Sequence, residues 1–225
     1  MEPWIVPAIK GLVLVPVTLL PIINPLSTAP IFAATVRGNT QMAAQLARQV
    51  AINSWFVIVV SILIGTYVLA LFGISLPVVR IGGGLLVAAT GWRMLHRNEE
   101  DDVHSAAAAV TTEMSYAEIV RRSFFPITFP LTTGPGTIAA SIALGADAPR
   151  SPLLYLAGAV IAAAGAALVS LCLYLIFKNS ARVLMWLGEI GTLVMMRLMA
   201  FILLCIGIQI MWTGWADLHV PTAPG

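Results

Sequence analysis

The chain has 225 residues, of which 59% are hydrophobic and 10% charged, whereas an ordinary soluble domain is about 45–50% apolar and about 25% charged. A mean hydropathy of +0.94 excludes a soluble globular enzyme, a disordered chain and a nucleic-acid binder, and it places most of the mass in lipid. The net charge of +2 is too small to imply an acidic partner.

The first apolar run covers 5–36. No signal-peptide pattern precedes it, so it reads as a membrane span. At about 1.5 Å per residue, one straight helix over this run reaches about 48 Å, longer than a hydrocarbon core of about 30 Å. It is interrupted by Pro21-Ile-Ile-Asn24-Pro25-Leu-Ser27-Thr28-Ala-Pro30. Proline lacks an N–H and breaks the helical ladder, so the first span is broken. Uninterrupted runs at 50–72 and 77–95 follow as spans two and three. Residues 96–117 carry His-Arg-Asn-Glu-Glu-Asp-Asp and an alanine run. They read as a flexible cytoplasmic linker. Its His96 and His104 flank four carboxylates, which read as a solvated charge run rather than a metal site. The fourth run, 119–145, is broken by Pro126-Ile-Thr-Phe-Pro130-Leu-Thr132-Thr133-Gly134-Pro135-Gly136. Runs at 152–177 and 193–215 complete six spans, with a short amphipathic helix expected over 179–191 and a tail over 218–225. Cys172 and Cys205 lie inside apolar runs and read as small buried hydrophobes.

Charge sets the orientation. One side carries Arg37, Arg48, Arg93, Arg97, Arg121, Arg122, Lys178 and Arg182; the other carries Arg150 and Lys10. The positive-inside rule makes the first side cytoplasmic and puts both termini outside.

The two broken runs repeat each other. With Pro21 laid on Pro126, Ile22/Ile127, Pro25/Pro130, Leu26/Leu131, Thr28/Thr133, Pro30/Pro135 and Ala34/Ala139 are identical. Arg80 in span three echoes Arg197 in span six. The expected fold is therefore an all-α integral membrane protein of two three-span halves, 1–95 and 118–217. An odd number of spans per half inverts one half against the other. Inverted repeats with interrupted helices at matching positions point to a secondary transporter whose site lies where the breaks meet. Irregular backbone at membrane depth survives only inside protein or beside a water-filled cavity.

The first break offers Asn24, Ser27 and Thr28; the second offers Thr128, Thr132, Thr133, Gly134, Gly136 and Thr137. Gly134 and Gly136 are expected to let the backbone approach a ligand. A half-helix restarting after Pro30 or Pro135 would aim free N–H groups at a carboxylate. The carbonyls before each break would suit an ammonium or a cation. A small zwitterion matches both poles. The competing reading is a pair of packed proline kinks whose hydroxyls bond their own backbone. Arg80 and Arg197 read as gating or structural residues, with snorkelling or pairing to a carboxylate such as Glu189 as alternatives. Asn53, Ser54 and Ser61 either line the cavity or bond across helices. Small-residue stripes at Gly82–Gly84 with Gly91, and at Gly158, Ala162, Ala166 and Ser170, read as close helix packing.

No P-loop, zinc spacing, haem motif or hydrolase signature occurs, so neither an enzyme nor ATP-driven transport on this chain alone is expected, and no cofactor. Buried acids are too few for a dense proton relay, which leaves coupling to H+, to Na+ or to neither open.

At these residues the sequence resembles the MarC family, also described as SnatA-type neutral amino acid transporters. The match covers nearly the whole chain. Its carrying stretches are Leu-Pro-Ile-Ile-Asn24-Pro25-Leu-Ser-Thr-Ala-Pro30, Gly73-Ile-Ser-Leu-Pro77-Val-Val-Arg80 with Gly91-Trp-Arg, Pro130-Leu-Thr-Thr-Gly134-Pro135-Gly136, and Arg197-Leu-Met-Ala-Phe with Gly207-Ile-Gln209. The resemblance implies six spans, a bacterial inner membrane and transport of small neutral amino acids. Kinship to LysE-type exporters favours export. Many members carry Gly and Asn after the Asn-Pro-hydrophobic triplet, where this chain has Ser27 and Thr28; that form is similar to the MarC subgroup itself. The resemblance carries Asn24, Pro25, Pro30, Gly134, Pro135 and Gly136 over as substrate-region residues. The expected site is thus Asn24, Pro25, Ser27, Thr28 and Pro30 with Thr132, Thr133, Gly134, Pro135 and Gly136. The expected partners are a small neutral amino acid, the bilayer and, as an option, further copies of the chain. Efflux of drugs or other metabolites, and a non-transporting assembly or channel-like role, are the alternatives.

Overall fold

The computed structural model describes residues 5–36, 38–96, 123–146 and 152–219. These are helical throughout, with no strand among the described residues. Helix α1 (Ile5–Ile23) leads into α2 (Pro25–Val36), followed by α3 (Thr40–Leu71) and α4 (Leu76–Leu95). The second half holds the wide-turned α5 (Ser123–Thr132), α6 (Pro135–Ala146), α7 (Pro152–Lys178) and α8 (Ser180–His219).

Four helices are long and apolar enough to cross a bilayer: Thr40–Leu71, Leu76–Leu95, Leu154–Lys178 and Ile190–His219. Two bent pairs raise the number to six if each pair is one span; α1/α2 bends by 58° and α5/α6 by 68°. Most of the outer surface is apolar, from Leu71 and Phe72 to Trp186 and Trp212. That is the surface a lipid solvent requires. Cys205 shares it, exposed rather than buried, while Cys172 is half-buried.

Local sequence explains where the helices start and stop. Asn39 caps α3 by accepting from the Met42 N–H at 3.0 Å. With that cap and good helix formers behind it, α3 begins at Thr40 rather than at the expected 50. Hydropathy finds only the lipid-facing part of such a helix. The left-handed Gly73 (φ 66°) then turns the chain, and Pro77 opens α4. Within α8, Gly188 (φ 67°, ψ 179°) separates residues 180–187 from the last span. This is the short helix expected over 179–191. Its Ser180 is buried while Met185 and Trp186 face outward.

Helices α4 and α8 pack antiparallel along nearly their whole length. A Cβ on Gly84 would lie 2.6 Å from Gly207 O, one on Gly91 2.6 Å from Leu204 N, and one on Gly214 2.7 Å from Pro77 O. Backbones this close tolerate only glycine. Helices α3 and α7 are also antiparallel and exchange bonds. Trp55 Nε1 donates to Ala163 O at 3.0 Å, and Tyr155 Oη donates to Leu63 O at 3.2 Å. Of the expected stripes, Gly84 and Gly91 carry the α4–α8 seam, and Gly83 faces Ala139 of α6. Gly82 and Gly158 face open space; on α7 the close approach falls instead at Gly165, against Val15.

Each bent pair packs on a long helix of the other half. Going down α7, Ile161 meets Gly11, Gly165 meets Val15, and Phe177 stacks on Phe32 with ring centroids 4.8 Å apart. Along α3, Asn53 bonds Ser123 of α5, while Gly65 meets Ile142 and Ile62 meets Gly145, so α6 turns back along that helix. The fully buried core lies among these helices, with Leu19, Phe32, Leu46, Val50, Ile58, Val169, Leu173 and Phe177 at its centre.

The linker beyond His96, the chain end after His219, and Arg37, Arg97, Arg121, Arg122 and Arg150 lie outside the described residues, as do the side chains of Lys10, Pro126 and Glu189.

Candidate functional site

The first break turns on Asn24. Its backbone is left-handed, with φ 49°, a conformation asparagine tolerates better than other side-chain-bearing residues. Asn24 N still donates to Leu20 O at 2.9 Å, closing α1. Pro25 then opens α2 without an N–H, so the Pro21 carbonyl loses its helical donor. The expectation that this half-helix restarts after Pro30 is corrected: α2 restarts at Pro25, and Pro30 lies inside it. Asn24 makes the earlier restart possible because its own side chain caps the new helix. Asn24 Oδ1 accepts a long 3.4 Å bond from Ser27 N, and Thr28 Oγ1 donates to Asn24 O at 3.4 Å.

The polar residues of this break are buried. Asn24, Ser27 and Thr28 are 5%, 8% and 6% exposed. Asn24 Nδ2 and Ser27 Oγ nevertheless have no hydrogen-bond partner. A buried donor without a partner costs about 1–3 kcal/mol, and native proteins rarely keep two side by side without a use for them.

The second break is built differently. Phe125 (φ −122°, ψ 125°) and Phe129 (φ −119°, ψ 127°) are extended inside α5. The Phe129–Pro130 peptide is cis. Three buried threonines stitch the widened turns. Thr128 Oγ1 donates to Ser123 O at 2.6 Å, Thr132 Oγ1 to Ile127 O at 2.7 Å, and Thr133 Oγ1 to Thr128 O at 3.1 Å. Here the hydroxyls do bond their own backbone. Helix α6 restarts at Pro135 as expected, and Ile138 N donates to Gly134 O at 3.1 Å. The two glycines make room for the protein itself. A Cβ on Gly134 would sit 2.7 Å from Pro130 O, and one on Gly136 2.3 Å from Val87 Cγ2.

The helices that flank the two breaks touch. Helix α1 packs on α6, and α2 packs on α5. Around them Ser54 and Ser141 are fully buried with unpartnered hydroxyls, and Ser170 keeps one as well. Of the two readings of Asn53, the cross-helix bond holds: its Nδ2 donates to Ser123 Oγ at 3.3 Å.

Arg80 and Arg197 lie away from the breaks, at opposite ends of the α4–α8 pair. Arg80 makes an ion pair with Asp217, their side chains 20% and 35% exposed. Arg197 Nη1 donates to Leu95 O, the end of α4. Of the readings of Arg80, pairing with a carboxylate holds, and the partner is Asp217. Sequence reasoning missed Asp217 because it sits just past the expected end of the last span. Pairing spans three and six head to tail would have found it. No cluster of three or more His, Cys, Asp or Glu suited to a metal occurs among the described residues.

A family model for "MarC family integral membrane protein" matches residues 9–218. The chain is 32% identical over 213 residues to the inner membrane protein MarC of Citrobacter koseri, covering 88% of this chain and 90% of that protein. The MarC protein of Salmonella typhimurium matches with the same identity and coverage. That of Escherichia coli O1:K1 is 32% identical over 206 residues, again covering 88% and 90%. No solved structure matches the chain. The apolar helices and these relatives together make the chain a multi-pass inner-membrane protein. On the strength of the matched length and identity, it belongs to the MarC family of integral membrane proteins.

Proposed function

We propose that this chain is a secondary transporter that moves small neutral amino acids by alternating access. One observation carries the reading: there are two buried helix breaks, one from each half, whose flanking helices pack on each other. Irregular backbone at such depth belongs to a site or a cavity, not to a lipid face.

The packing supports six spans in two inverted halves. Let α1, α2, α3 and α4 correspond to α5, α6, α7 and α8. The contacts of α1 with α7 and of α5 with α3 then match, as do those of α4 with α6 and of α8 with α2. The corresponding helices α3 and α7 run antiparallel with reciprocal bonds, and so do α4 and α8. A two-fold axis in the membrane plane produces that arrangement. The first bent pair follows α7 in one direction, which suits a broken span. Arg48, Arg93, Lys178 and Arg182 then face the cytoplasm, and both termini face the periplasm.

Chemistry narrows the solute. The breaks present amide, hydroxyl and free carbonyl groups and no charged side chain. A solute bound there brings its own balancing charges, as a zwitterion does. The Arg80–Asp217 tie at one end and the Arg197–Leu95 tie at the other are placed to open in alternation. Kinship to exporters favours outward movement.

Flux of labelled alanine, glycine and serine into proteoliposomes tests the proposal. Saturable counterflow of at least one is expected, and repeating it with imposed Na+ and pH gradients assigns the coupling ion. No saturable flux of any small solute overturns the transporter reading.

A further inference from the structure

We infer that the first break, and not the second, holds the carboxylate of the solute, through Asn24 Nδ2 and Ser27 Oγ at the N-terminal end of α2. The inference rests on the transporter reading and assigns a polarity to its site.

The inference follows from which hydrogen-bonding groups are already engaged. At the second break, Thr128, Thr132 and Thr133 have spent their hydroxyl protons on carbonyls of their own turn. At the first break, Asn24 Nδ2 and Ser27 Oγ are buried and without a partner. The Ser27 N–H is shared between Asn24 O at 3.2 Å and Asn24 Oδ1 at 3.4 Å. The side-chain bond fixes the orientation of the amide and leaves its NH2 group free. Both free groups are donors, and they sit at the start of a twelve-residue helix. There the positive end of the helix dipole favours the same charge. What satisfies several converging donors is a multiple acceptor, and a carboxylate supplies two oxygens with about four lone-pair sites. With no basic side chain at the break to balance it, the carboxylate must belong to a solute that carries its own cation. The Pro21 carbonyl, deprived of its donor by Pro25, faces the end of α1 as an acceptor for that ammonium. The second break, internally bonded, then supplies shape and movement rather than the anionic contact.

The test is equilibrium binding to the purified full-length protein, comparing L-alanine with L-alaninamide, which lacks the carboxylate. Wild type is expected to favour alanine by roughly tenfold or more, the scale of hydrogen bonds to a charged group. Asn24→Gly keeps the left-handed backbone and removes the amide. Ser27→Ala removes the hydroxyl with almost no change in shape. Each is expected to shrink the preference, and Asn24→Asp is expected to reverse it by setting like charges together. Melting curves establish that each variant is folded; if Asn24→Gly fails to fold, Ser27→Ala carries the test. Equal binding of both solutes by wild type, or an undiminished preference in folded Ser27→Ala, overturns the inference while leaving saturable alanine flux as support for transport. Absence of both binding and flux overturns the transporter reading and this inference with it.

Discussion

Asn24 combines a left-handed backbone with a buried amide, and substitutions separate the two demands. A residue with a Cβ but no local side-chain hydrogen bond pays roughly 1–2 kcal/mol in this conformation. Asn24→Ala should therefore lower stability by about that amount, whereas Asn24→Gly should lose solute affinity and little stability. Parallel melting curves and binding titrations check the split; equal destabilisation by both changes would remove the backbone role. Gly134 poses the opposite problem, since its added Cβ meets backbone at Pro130 O. Asn24, Ser27 and Gly134 were legible in the sequence because proline-flanked polar residues inside apolar runs stand out. What the sequence could not give was which hydroxyls are already engaged. Thr132 and Ser27 look alike in one dimension, and only the wide turn of α5 separates them.

Among the elements, the α4–α8 pair makes the most extensive helix–helix contact among the described residues. Its glycines lie at heptad spacing, so one face of each helix is bare backbone. Gly207→Val would drive a side chain into Ala88 N, where a Cβ alone already reaches 2.3 Å. Overpacking of that kind costs about 1–3 kcal/mol, and a shift of that size should appear in the melting temperature of the purified protein. An unchanged melting temperature would mean that the seam is not close-packed. The Arg80–Asp217 tie is partly exposed, so its coupling should be modest, about 0.2–1 kcal/mol. Arg80→Ala, Asp217→Ala and the double variant, compared by flux, form the cycle; additive losses would mean the pair does not act as one unit. Element boundaries were only partly legible. Pairing Pro30 with Pro135 follows the sequence identities, yet the helices themselves restart at Pro25 and Pro135. The extended residues Phe125 and Phe129 take up the difference in the second half. Hydropathy likewise reports where a helix meets lipid and is silent on its polar extension, as at the start of α3.

At the scale of the whole molecule, the two halves are joined by exchange. The first bent pair leans on α7 and the second on α3, so neither half has its full set of neighbours alone. The class of fold was legible because lipid leaves so few choices for a backbone. The partners between the halves were not, because Trp55 with Ala163 and Tyr155 with Leu63 meet only after both halves assemble. Under the proposed function, both breaks are necessary for one site. Flux of labelled alanine through vesicles holding equal inserted amounts of wild type, Asn24→Gly and Gly134→Leu tests this most directly. The account predicts saturable flux in wild type and its loss in each single variant; wild-type rates in either variant would contradict it.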